Sequence, residues 1–311
     1  MNCIDKRQSE EKSIKIAAAF RQVYKQAKCW KSFIWILTII LVAGQLLFST
    51  QIIETQFLQG NLNAFIIALS LLLLLFNTFG EHYLIKPLLI LGANLNRLHD
   101  FTVFKIGSKP SLAEIMPSQI DRYSKLWLLK NPNDRPNLAE WWPNSVSKIP
   151  EIPAICLCLL STYKWENELR KKYRILLGVF IFTLFGLGFL SMYFLNYLIA
   201  DYIVKILVPT FPLIELMVDE FISNSTGIDI SDSAIQEVST LWEKQLNDKA
   251  YDSSNLRGNL TSLLFIWNNY RATTSPIFDW LYWLTQQSMN KAMIVDVDDC
   301  VSQYEGINRL T

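Results

Sequence analysis

Four apolar runs constrain this chain more than any other feature: residues about 32–53 and 62–80, then about 175–199 and 203–218. The first three have roughly the 17 to 25 residues that a helix needs to cross a bilayer core. The expected fold class is therefore an all-α membrane protein, with four transmembrane helices in two pairs and cytosolic helical regions. It divides into a cytosolic amphipathic basic helix (1–31), transmembrane helices 1 and 2 (32–80), a cytosolic helical loop region (81–174), transmembrane helices 3 and 4 (175–218) and a C-terminal cytosolic helical region (219–311). A hydrophobic share of 51% in 311 residues agrees with that reading. The fourth run is the shortest, carries Pro209 and Pro212, and is expected to be a kinked span or a re-entrant segment. Proline removes a backbone hydrogen bond, so both prolines are candidate gating hinges.

Charge orients the spans. Lys and Arg outnumber Asp and Glu by eight to three in residues 1–31 and by fourteen to nine in 81–174, whereas residues 219–311 carry six basic and thirteen acidic side chains. The positive-inside rule then places the N-terminus and the central loop in the cytoplasm, and an even number of spans brings the C-terminal region to the same side. Because 31 mostly polar residues precede the first run without a cleavage site, that run is expected to be a retained anchor. The five cysteines are scattered on the side where thiols stay reduced. Only two histidines, His82 and His99, are present, so neither a disulfide framework nor a metal centre is expected.

The spans contain polar stripes but no ionisable centre. Thr38, Gln45 and Ser49 share one helical face in the first run, and Asn63, Ser70 and Asn77 share one in the second. Such side chains either join neighbouring helices or line a pore that forms when several chains assemble. The central parts of the first three runs lack Asp, Glu, Lys, Arg and His, which argues against a proton-coupled transporter. Gly178, Gly186 and Gly188 in the third run permit close helix approach.

Outside the spans, residues 13–28 read as a basic amphipathic helix running into the first span, either an interfacial helix on anionic lipid or a ligand or partner surface. A helix is expected over 112–130, a turn at 131–137, and another helix over 155–172 that leads into the third span. Ser231 is expected to cap a helix to about Lys249, residues 255–271 to form another, and Ser275 with Pro276 to open a third. The third helix carries Phe278, Trp280, Leu281, Tyr282, Trp283 and Leu284, an apolar cluster expected to be buried in the chain or against a neighbouring subunit. No Walker A loop, dinucleotide fingerprint, HExxH or nucleophile elbow is present, so no enzyme activity and no cofactor is expected.

Five segments occur in a telling order: RQSEEKSIKIAAAFRQVYKQAK (7–28), HDFTVFKIG (99–107), LAEWWP (138–143), KWENELRKKY (164–173) and LLFIWNNYRATTSPIFDWLYW (263–283). Together with the two-plus-two runs, the chain resembles the SMODS-associating four-transmembrane effectors of bacterial antiphage systems. The match departs from the family pattern around Trp165, where Leu159, Thr162 and Glu166 stand at places usually held by glutamine, asparagine and aspartate. The resemblance implies an effector in the bacterial inner membrane, functionally linked to a cyclic-oligonucleotide synthase. Its nucleotide second messenger is the activating ligand, and activation permeabilises the membrane and stops phage replication through host death or arrest. A homo-oligomer in the lipid bilayer is expected, with no direct DNA or RNA partner. Arg122, Lys125, Arg170, Lys171 and Lys172 are the expected messenger contacts, and the acidic C-terminal region would pair with them at rest. The alternative is a non-conducting membrane anchor or signalling scaffold that recruits a partner.

Overall fold

Long stretches free of helix breakers become long helices in the computed structural model, which describes residues 2–49, 62–194, 197–247 and 253–309. After a short α1 (Ile4–Ser9), residues 11–49 contain no proline and a single glycine, and they form one helix, α2 (Glu11–Ser49). Further along lie α3 (Leu62–Gly80), α4 (Lys86–Phe104), α5 (Pro117–Lys130), α6 (Arg135–Ala139), α7 (Glu151–Phe194), α8 (Ile199–Tyr202), α9 (Val208–Asn247), α10 (Ser253–Thr273) and α11 (Asp279–Arg309). Two widened, π-type turns join α3 to α4 (81–85) and α8 to α9 (203–207). Each ends two residues before a proline, Pro87 and Pro209. A proline ring clashes with the carbonyl four residues earlier and offers it no N–H, so the chain loosens there and remains helical.

The helices sort into two units. One comprises residues 1–26, 88–171 and 226–311, the other 27–87 and 172–225, so α2, α7 and α9 each contribute to both. Three stretches, 11–49, 64–104 and 151–194, are long and apolar enough to cross a membrane. The fourth run is helical throughout 203–218 but does not meet that measure. Phe182, Phe189 and Ile175 on α7 and Leu71 and Leu72 on α3 are exposed. Apolar faces of that extent are stable only when lipid or another chain covers them.

Within the apolar unit the polar stripes bind helix to helix. Thr38 Oγ1 donates to Asn77 Oδ1 at 3.0 Å, and Ser49 Oγ donates to the Lys205 carbonyl at 2.6 Å. That carbonyl lies four residues before Pro209, so the serine hydroxyl satisfies the acceptor that the proline leaves without its helical donor. Gln45 and Asn77 reach the carbonyls of Ile66 and Pro212 at 3.4 and 3.5 Å, and Ser70 bonds back to Ile66 within its own helix at 3.0 Å. The side chain of Asn63 lies outside the described residues. At Gly80 an added Cβ would stand 2.6 Å from Ile34 Cδ1, so α2 and α3 touch there because the residue is glycine. Lys31 and Glu220 form a buried ion pair at 2.6 Å, with the ammonium 5.5 Å above the Tyr173 ring.

The other unit is a helical domain with two packed cores. The larger gathers Phe104, Trp142, Ile155, Tyr163, Val238, Trp242, Leu260, Trp267 and Tyr270, and the smaller gathers Ile16, Ala18, Phe20, Val23, Leu95 and Leu98. The apolar face of residues 13–28 is thus taken up by protein, where an interfacial helix would present it to lipid. Cys156 and Cys158 are buried in the larger core, and burial pushes the Cys156 thiol up to about 12. They are packing groups with little thiolate character.

Three helix boundaries differ from expectation. The helix expected from 112 starts at Pro117, because proline suits the first helical position and forces the residue before it out of helical geometry. Ser231 sits inside α9, its hydroxyl turned back onto the Gly227 and Ile228 carbonyls, so the capping reading fails; Lys249 lies outside the described residues. Residues 275–278 are not helical, and α11 opens at Asp279. The Ser275 carbonyl instead accepts from Arg170 at 3.2 Å, which holds the segment extended.

Candidate functional site

A cavity of about 780 Å3 opens in the helical domain. Its wall starts with α7, whose Thr162, Trp165 and Glu166 share one face at helical spacing. From α11 come Tyr282, Gln286, Asn290 and Met293, again one face. The segment 140–148 supplies Glu140, Trp141, Trp142, Ser145 and Lys148, while α2 and α10 contribute Arg21 and Arg271.

The wall is fixed mostly by bonds between residues far apart in the sequence. Gln8 of α1 clamps Trp142 twice, donating to its carbonyl and accepting from its N–H, both at 3.1 Å. The Trp142 indole donates to Thr162 at 3.2 Å, and His99 and Phe104 pack on its ring. Asn2, just before α1, donates to the carbonyls of Val146 and Ile149, so the N-terminal stretch fastens both ends of the 142–149 segment. Trp165 donates to Asn290 at 3.0 Å, and its ring centroid lies 5.6 Å from that of Tyr282. Arg21 is oriented by Asp134 and the Asn137 carbonyl, both at 3.0 Å, with its guanidinium 5.5 Å over the Trp141 ring. Arg271 stacks 4.5 Å over Trp267.

Two polar atoms of the wall stand out. Ser145 Oγ and Arg271 Nε are buried without a hydrogen-bond partner among the described residues. Such groups cost stability unless something fills them. Indole and phenol faces beside guanidinium groups can stack flat rings and hold anionic oxygens. Nothing in the wall resembles a nucleophile with its base, and no group of three metal-ligating side chains occurs among the described residues.

The five cations read from the sequence do not line this cavity. Arg122 and Lys125 are exposed on α5. Arg170 is 3% exposed and fully engaged: it donates to Glu166 at 3.0 Å, to Thr274 at 3.1 Å, to the Ser275 carbonyl and to the Tyr270 hydroxyl. Lys171 pairs with Asp232 at 2.9 Å. Consecutive residues on a helix point about 100° apart, so the run Arg170 to Lys172 spreads around α7 and does not form one basic face. Sequence reading missed Arg21, Arg271 and Trp165 as wall residues, yet a signal existed. Four of the five segments that carry the family resemblance place residues in the wall, and the fifth, 99–107, packs His99 and Phe104 behind Trp142.

Comparison with known proteins agrees. A family model described as the SMODS-associating 4TM effector domain matches residues 2–300. A Bacillus cereus protein named as a probable CBASS effector molecule is 26% identical over 213 residues, which cover 65% of this chain and 66% of that relative. No solved structure matches the chain.

Proposed function

The chain belongs to the family of SMODS-associating 4TM effectors, and from that premise we propose a ligand-gated membrane effector of bacterial antiphage defence. A cyclic oligonucleotide made by a partner synthase enters the 780 Å3 cavity, and the bound state permeabilises the inner membrane, arresting or killing the host. The observation that carries this reading is the meeting of the family's segments around one cavity that sets aromatic faces beside guanidinium groups. Stacking of a base on an indole contributes about 1 to 3 kcal/mol, and the guanidinium groups of Arg21 and Arg271 offer donors to phosphate.

Transmission follows the covalent path of the helices. α7 carries Thr162, Trp165 and Glu166 in the cavity wall and then the third apolar run, and α2 carries Arg21 and then the first. A ligand shifts the resting state only as far as it binds the active state more tightly. In this proposal closure of the wall on the nucleotide supplies that difference. The run 203–218, loosened at its widened turn and at Pro209 and Pro212, crosses as the fourth span and yields first. Several chains then assemble into the conducting form.

Purified protein in dye-loaded liposomes tests the proposal. Dye should escape when cyclic di- or trinucleotides are added and stay inside without them, and Trp165→Ala should raise the nucleotide concentration required by about tenfold, the worth of one stacked base. Nucleotide binding without dye release would leave the second reading, a non-conducting anchor that recruits a partner. One observation favours that reading: Trp280, Trp283 and Leu284 on α11 are 44, 70 and 76% exposed within the chain.

A further inference from the structure

The charges in the cavity do not suit an anion taken as a whole. Arg21, Lys148 and Arg271 face four carboxylates, Glu140, Glu166, Asp298 and Glu305. A carboxylate set against a phosphodiester repels it. Against an N–H donor the same carboxylate is an asset, and in a nucleotide such donors lie on the base edges.

Glu166 and Arg271 are held in place, as Arg21 is. Glu166 is oriented by Arg170 at 3.0 Å. Arg271 lies flat on Trp267, donates to Asn96 at 3.4 Å and keeps Nε buried with no partner among the described residues. The Arg271 guanidinium also lies 5.9 Å from the centre of the Tyr24 ring, and Glu166 accepts from the Tyr270 hydroxyl at 3.5 Å. Beside them Trp165 and Tyr282 offer aromatic faces.

Guanine has the complementary pattern. Its O6 and N7 are paired acceptors that a guanidinium reads bidentately. The neighbouring edge carries N1–H and the N2 amino group, paired donors that one carboxylate accepts. Adenine would turn its N6 amino group toward the guanidinium, donor against donor, and pyrimidines have no N7. We infer that the cavity selects a guanine-containing cyclic oligonucleotide, with Arg271 donating to O6 and N7, Glu166 accepting from N1–H and N2, and the base lying against Trp165 and Tyr282. The inference rests on the cavity being the nucleotide site.

Intrinsic tryptophan fluorescence of the full chain in detergent, titrated with cyclic di-GMP, cyclic di-AMP and cyclic di-IMP, tests it. Cyclic di-GMP should bind about tenfold or more tightly than cyclic di-AMP, the discrimination expected of one good bidentate base contact. The inosine ring, which lacks only the N2 amino group, should fall between them. Glu166→Gln should lower the preference for cyclic di-GMP over cyclic di-AMP about tenfold. Equal affinity for the guanine and adenine rings overturns the guanine assignment while the nucleotide site stands. Failure of all three, and of a guanine-containing cyclic trinucleotide, to bind overturns both. If Glu166→Gln does not fold, the comparison of guanine with inosine in the unaltered protein still decides, because equal binding removes the role given to Glu166.

Discussion

Gly227 shows how closely the helical domain is packed around Arg170. A Cβ added there would meet Arg170 Cδ and Tyr270 Cε2 at 3.2 Å and Arg170 Nε at 3.3 Å. Helix propensity alone favours alanine over glycine by about 1 kcal/mol. Here the neighbours cannot give way, because Tyr270 is buried and Arg170 is held by four groups. Overpacking of this kind costs about 1 to 3 kcal/mol, so Gly227→Ala should lower the thermal midpoint of the protein in detergent. Gly258 on α10 has nothing within 4 Å of its added Cβ, and Gly258→Ala should raise the midpoint. An equal response from both variants would show that the close approach at Gly227 is unimportant. This site also marks what the sequence could not convey. Arg170 stands in a basic run that reads as an anion surface, but its partners Thr274 and Tyr270 lie about a hundred residues away and bear no visible signal of the contact.

At the scale of the element, the long apolar helices were legible because composition and length decide them, whereas their ends were not. The serine at 231 and the pair at 275–276 carry the local chemistry of a helix start. Ser231 instead bonds back onto carbonyls of its own helix, and at 275 a tertiary bond prevails, since Arg170 captures the Ser275 carbonyl. The polar stripe was visible as a face, though only the packed structure shows Ser49 supplying a donor to the carbonyl that Pro209 deprives. The Lys31–Glu220 pair between α2 and α9 had no signature in the sequence. With side chains 3 and 6% exposed, neither charge is shared with water. Removing one partner of such a pair costs about 3 to 5 kcal/mol, because the other charge is left buried. Lys31→Met should therefore be strongly destabilising in a denaturation series in detergent. Lys31→Met with Glu220→Met should recover most of that loss, since an apolar replacement of a buried pair is often neutral. A double variant no more stable than the single one would mean that the pair does more than neutralise its own charges.

For the whole molecule the question is where the messenger acts, on the exposed cations or in the aromatic cavity. The exposed cations are already paired in part with acidic side chains from the C-terminal region: Lys171 with Asp232 at 2.9 Å, and Lys164 with Asp296 at 4.0 Å. All four side chains are about half exposed, and ion pairs in that setting are worth about 0 to 1 kcal/mol. A clamp built from them holds little energy for a ligand to release, and salt screens what there is. The cavity offers more, because its cations are oriented and its aromatic faces partly withdrawn from water. In ligand-triggered dye release, Lys171→Glu should thus shift the half-maximal nucleotide concentration by no more than about fivefold, the equivalent of 1 kcal/mol. Arg21→Glu should shift it by well over tenfold, because it removes a cation from the wall and sets a carboxylate in its place. The two variants carry the same net charge, so a general electrostatic effect on the membrane would move both alike. The opposite ranking, with Lys171→Glu the more damaging, would return the binding site to the basic stretch of α7 and leave the cavity without a role in activation.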